Sequence, residues 1–175
     1  HDIVTAYPQT VRQADVENLL PATIKVKGKI NKLEPKINDL LNWQKILNVN
    51  LNDFRIFNVV KVDAELMEKI YKAVSKWKEI YKQISSAPFS SIDMPIFKED
   101  LLNLEKDVKE MKEKNIKQVP LVDELTSNLD GIVPYIQPLE QLSSGKMQAQ
   151  HWNRLFELCG QPHGYYNQIK IEELL

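Results

Sequence analysis

The stretch Leu66–Ile84, LMEKIYKAVSKWKEIYKQI, decides the fold. Its apolar residues fall at Leu66, Ile70, Ala73, Trp77, Ile80 and Ile84, a 4-3-4-3-4 alternation. That is the narrow seam of a helix packed along its length against others. Lysines and glutamates fill the remaining faces. A second series, Ile30, Leu33, Ile37, Leu40 with Leu41, then Leu47, runs at similar steps, and a third follows at Leu101, Leu104, Val108 and Met111. Period-two alternation is confined to Ala22–Val26, which is too short to carry a sheet. The spacing predicts an all-α fold: an elongated multi-helix bundle of long antiparallel helices joined by short Pro/Ser/Gly turns.

The interruptions divide the chain. Ser85–Pro95, SSAPFSSIDMP, sets two prolines and four serines against the helical period. It separates an N-terminal helical subdomain, 1–87, from a second, 88–175. Asp63 is placed to cap the helix that carries the first seam. Asp93 and Pro95 open the next helix, the proline near its first turn, where no N–H is needed. Pro134 and Pro138 make Leu121–Leu142 a kinked or broken element. Pro21 and Pro35 argue against one unbroken N-terminal helix and leave a kinked one open. Ser143-Ser144-Gly145 precedes the last helix, which begins around His151-Trp152 and continues through Leu155, Phe156 and Leu158.

Composition narrows the function. Hydrophobic residues are 43% and charged residues 27% of 175, ordinary for a globular chain. Lys plus Arg number 23 against 24 Asp plus Glu, so there is no global field for nucleic acid or an anionic membrane. No run reaches the roughly 18 apolar residues of a membrane span. A single cysteine, Cys159, excludes an internal disulfide framework and fits a reducing compartment.

Chemistry is sparse. A phosphate-binding P-loop needs G-x-x-x-x-G-K-[ST]. Gly28-Lys29 and Gly145-Lys146 have Thr23 and Glu140 at the first glycine position, and Ile30 and Met147 after the lysine, so neither qualifies. His151, Cys159 and His163 are separated by seven and three residues with no fourth soft ligand, unlike a zinc site. No Gly-rich oxyanion turn lies near Cys159 to make it a nucleophile. No catalytic, cofactor-binding or metal-binding residue is assigned. The assigned residues are structural: Trp152 as a buried pin between successive helices, His151 capping or bridging through a side-chain hydrogen bond, and Leu155 and Trp77 on helix seams.

The order of these features resembles the tail-to-linker region of dynein heavy chains, with an axonemal leaning. Val16–Leu20 falls where that family carries a helix, and Asn42–Asn50 where it has a Glu-Leu-Phe-Gly-Leu type element. Tyr71 and Trp77 occupy its aromatic positions. Pro88–Asp93 resembles the connection after the Trp helix in axonemal members, and Val119–Leu125 a helix boundary. Ile132–Leu142, Met147, His151-Trp152 and Leu155 resemble the stretch ending in an Arg-His-Trp block, here with Gln150 at the Arg position. Ile169–Leu175 is similar to the apolar–acidic–Leu-Leu helix that follows it.

The resemblance implies a non-catalytic mechanical linker segment of a microtubule motor. Such a segment transmits ATP-driven changes of an AAA+ ring to the tail. The implied partners are the ring of the same heavy chain, the tail and other dynein subunits, with microtubules reached only through the parent chain. ATP and Mg belong to the parent motor; none is expected in this fragment. The implied location is cytoplasm and cytoskeleton, in a cilium or flagellar axoneme. The competing reading is a spectrin-like helical tethering or scaffold module, which would carry an internal repeat of ~100 residues; the sequence has no such repeat.

Overall fold

The computed structural model describes residues 15–113, 120–160 and 168–175. Its elements are α1 (Val16–Ile46), α2 (Arg55–Ser86), α3 (Met94–Glu113), α4 (Pro120–Ile132), α5 (Ile136–Ser143) and α6 (Ala149–Cys159). Short 3-10 turns occupy Phe89–Ser91, Val133–Tyr135 and Ile171–Glu173. Among the described residues, β pairing is limited to an isolated antiparallel bridge between Pro88 and Lys170. The fold is an all-α bundle. It is organised as two compact units, His1–Ser75 and Lys76–Leu175, which divide within α2.

In the first unit α1 and α2 run antiparallel. Lys27 Nζ lies 2.6 Å from Glu68 Oε2, and Lys61 pairs with Glu34, so rising numbers on one helix meet falling numbers on the other. Contrary to the expectation from its prolines, α1 is unbroken through Pro21 and Pro35, both on its exposed side. Each proline deprives α1 of one backbone hydrogen bond, a loss most tolerable where water reaches the freed carbonyl. The series from Ile30 to Leu47 is buried less than its spacing suggests: Ile30 is buried, while Leu33, Leu40 and Leu47 are 48%, 42% and 67% exposed. A single neighbouring helix covers only the narrow strip of α1 through Lys27, Ile30, Glu34, Ile37 and Leu41.

The start of α2 corrects one expectation. The helix begins at Arg55, two turns before Asp63, which therefore lies inside it. Asp53 serves the entrance instead: its Oδ1 accepts the Arg55 N–H at 2.9 Å, and its carboxylate pairs with the Arg55 guanidinium at 2.6 Å. This pair holds the Asp53 carboxyl below the usual range, chiefly through the side-chain hydrogen bond from Arg55. Val59, Val60 and Val62 are weak helix formers and hide the period in the sequence. Further along, Ile70, Ala73, Trp77, Ile80 and Ile84 are all buried, as the seam requires.

The second unit folds back on itself around α3. The Asp93 Oδ1 accepts the Ile96 N–H at 3.2 Å, and Pro95 sits in the first turn, so this helix starts as predicted. α3 buries Met94, Phe97, Leu101, Leu104, Val108 and Met111. Lys76 Nζ lies 2.9 Å from Asp100 Oδ2, in keeping with an antiparallel pairing of α2 and α3. Two more ion pairs, Lys112–Asp123 at 3.8 Å and Lys98–Glu140 at 2.7 Å, run α4 and α5 back along α3. The break between α4 and α5 is the 3-10 turn containing Pro134. Pro138 lies in the first turn of α5, where its missing N–H costs little.

Candidate functional site

The aromatic cluster on α6 grows from local sequence. Trp152 and Phe156 are one helical turn apart and project from one face. Their rings stack with centroids 5.9 Å apart and planes 30° apart. The Trp152 ring meets Phe89 nearly edge-on, 6.3 Å between centroids and 68° between planes. Trp152 is 8%, Phe156 1% and Phe89 4% exposed. Aromatic pairs prefer such offset and edge arrangements because the ring face is electron-rich and the edge is not.

Phe89 is fixed by backbone as well. Its N–H donates to the Ile169 carbonyl at 2.7 Å, next to the Pro88–Lys170 bridge. Ile169 and Ile171 are buried at 3% and 0% exposure. The turn after α2 and the C-terminal segment are therefore stitched to each other beside α6. The expected helix over Ile169–Leu175 is only the single 3-10 turn Ile171–Glu173, because its backbone is partly committed to Pro88 and Phe89.

His151 faces away from this cluster and is exposed. Its Nδ1 accepts the Gln148 N–H at 3.1 Å, while the Gln148 side chain accepts the His151 N–H. This reciprocal pair is a capping box, satisfying donors that the first turn of α6 leaves open. Leu155, half-buried, joins His151, Arg154 and Leu158 along an open groove whose opposite wall includes Glu140, Leu142 and Met147. Trp77 makes its ring contact with Tyr81, at 6.1 Å. The four sequence-assigned residues thus occupy three settings: Trp152 in the aromatic cluster, His151 and Leu155 on the groove, Trp77 in the α2 seam. Phe89 is the partner that sequence reasoning missed; the proline-flanked turn named it without indicating what it touches.

The ionisable groups with displaced affinities lie outside the groove. Glu68 is held below the usual carboxylate range by hydrogen bonds from Lys27 and Lys72, and Lys27 is raised by the same contact. Lys61 is raised by Glu34 and Lys109 by Glu105. Burial raises the Tyr71 phenol. Apart from Tyr71, these are ion pairs on helix faces. Among the described residues no group of three or more His, Cys, Asp or Glu could hold a metal ion. His163 lies outside the described residues, as does the side chain of Cys159. No described helix is long and apolar enough to cross a membrane.

Among the described residues, the second unit thus combines a buried aromatic junction with a capped, groove-lining helix. A family model, "Dynein heavy chain, N-terminal region 2", matches residues 57–175, the whole chain from the first turn of α2 onward. This chain belongs to the dynein heavy chain family. No curated protein and no solved structure matches it.

Proposed function

We propose that this chain is a non-catalytic mechanical segment of a dynein heavy chain, part of the linker that passes ATP-driven changes of an AAA+ ring to the tail. The family match over residues 57–175 carries this reading. It spans the α2 seam, the Phe89 turn and the His151-Trp152 helix, the features that resemble the tail-to-linker region. The packing suits the role. A lever must resist deformation more than its hinge does, and close-packed interiors are stiff. Phe89, Trp152 and Phe156 form such a block, and the backbone pairing at Pro88 and Ile169 ties two chain segments beside it.

In this reading Trp152 is the pin of the junction, His151 keeps the entrance of α6 helical, Trp77 holds the α2 seam and Leu155 lines the groove beside α6. The ring of the same heavy chain, the tail and other dynein subunits are its partners, and microtubules are reached through the parent motor. ATP and Mg are handled elsewhere in the parent chain. The Pro88–Asp93 connection supports an axonemal motor working in a cilium or flagellum.

The test is made in the parent heavy chain. Trp152→Ala should slow microtubule gliding severalfold while ATP hydrolysis continues, and Trp152→Phe should restore most of the gliding. Unchanged gliding per ATP hydrolysed, in a motor whose melting curve shows the junction weakened, would remove the mechanical role.

A further inference from the structure

α1 carries a basic face that the packing of its own unit does not use. Lys25, Lys29, Lys32 and Lys36 follow a 4-3-4 spacing, which places all four on one side of a 3.6-residue helix. All four are exposed, and none forms an ion pair among the described residues. Of the acids facing α1 from α2, Glu68 holds Lys27 and Lys72, and Glu65 acts on Lys27 and Lys61. Within α1, Glu34 is taken by Lys61, and Asp39 lies beyond the C-terminal end of the lysine stripe. The whole sequence has a net charge of only −1, so this positive face is a local feature.

Beside the lysines runs an apolar row. Val26, Leu33 and Leu40 recur every seven residues and remain 45%, 48% and 42% exposed. A seven-residue apolar repeat flanked by like charges is the surface of a helix awaiting a helix. The row supplies the seam and the charges select the partner's sign. A helix lying on a membrane needs a wide apolar face with cations along both edges. Here the row is one residue wide, bounded on one side by lysines and on the other by the strip that α2 covers.

We propose that this face of α1 docks an acidic amphipathic helix of a partner protein. The partner's aliphatic side chains lie along Val26, Leu33 and Leu40, and its glutamates or aspartates face Lys25, Lys29, Lys32 and Lys36. Charge complementarity selects this occupant and makes association fast at low salt. The inference rests on α1 alone, which lies outside the family match, and stands whether or not the motor reading does.

The experiment uses the chain itself with two synthetic heptad peptides, both with Leu at positions a and d, one with Glu and one with Lys at e and g. Fluorescence anisotropy should show binding of the Glu peptide, weakened by salt, and none of the Lys peptide. Combined Lys25→Gln, Lys29→Gln, Lys32→Gln and Lys36→Gln should weaken binding about tenfold or more. The pair Leu33→Ser and Leu40→Ser should weaken it comparably, and both variants should keep the parent helical circular dichroism. The proposal is overturned if the Glu peptide does not bind, or if the glutamine variant binds it equally well. It also fails if polyglutamate without leucines binds as tightly, or if phosphatidylserine vesicles bind in preference to the Glu peptide.

Discussion

Lys27 and Glu68 are joined across the α1–α2 hairpin at 2.6 Å, and the second oxygen of the same carboxylate receives Lys72 at 2.7 Å. Glu68 is the most buried acid of the pair's surroundings, at 9% exposure. Both hydrogen bonds favour its charged form, so its folded affinity for protons is lowered. The stability this gives is present above the ordinary glutamate value of about 4.3 and is lost as pH falls through the lower folded value. Lys27 has the opposite sign. Its raised folded value stabilises below the ordinary lysine value of about 10.4, and that contribution fades as pH rises through the folded one. Glu68→Gln should therefore melt lower than the parent at neutral pH and converge with it in acid. Parallel melting curves from neutral pH to about pH 2 would show that the pair adds no net stability.

Trp152→Ala should destabilise by ~3–5 kcal/mol, the range for truncating a large buried aromatic residue. The edge contact with Phe89 adds a specific expectation. A double-mutant cycle between Trp152→Ala and Phe89→Leu in urea melts should give a coupling of roughly 0.5–1.5 kcal/mol. Additive losses would mean that the two rings share a core without interacting.

These sites differ in how far the sequence discloses them. The buried line of α2 is legible because one apolar residue per turn, from Ile70 to Ile84, has no other use in a helix. The start of α3 is legible because Asp93 and Pro95 act through local backbone chemistry. α1 reads less well. Its leucines keep heptad spacing whether covered or bare, and periodicity reports a face without reporting its neighbour. The Phe89–Trp152 contact is hidden for a related reason: it joins residues more than sixty positions apart, and nothing local to either encodes the meeting. The Pro88–Lys170 bridge overrides an apolar-acidic run that would otherwise read as a helix.

His151 gives a prediction that separates capping from chemistry. His151→Ala removes the acceptor for the Gln148 N–H and should cost about 0.5–2 kcal/mol, as other caps do. His151→Gln keeps a side-chain acceptor and should recover part of the loss. Amide hydrogen exchange at Gln148 should accelerate in the alanine variant. Unchanged exchange there would show that the cap is not populated in solution.

Gly160 ends α6 with φ at +68°, the left-handed conformation of a helix C-terminus. A Cβ built there meets nothing within 4 Å, so substitution carries a backbone penalty alone. Gly160→Ala should destabilise by ~1–2 kcal/mol and Gly160→Asn by less, since asparagine tolerates this region better. Equal losses in urea melts would point to a crowded site instead of a conformational one.

Pro35 sits in the interior of α1, exposed, where its ring excludes the hydrogen bond to the Asn31 carbonyl. Proline in a helix interior is ~3 kcal/mol less favourable than alanine. Part of that is offset because proline also restricts the unfolded chain, by ~0.4–1 kcal/mol. Pro35→Ala should thus stabilise the chain by ~2 kcal/mol and deepen the helical circular dichroism signal. The gain should be confined to the α1–α2 hairpin, so hydrogen exchange should slow around Asn31 and leave α3 and α6 unchanged. If stability falls instead, the proline is holding a bend that α1 needs to keep Glu34 in register with Lys61, and the helix tolerates it for that reason.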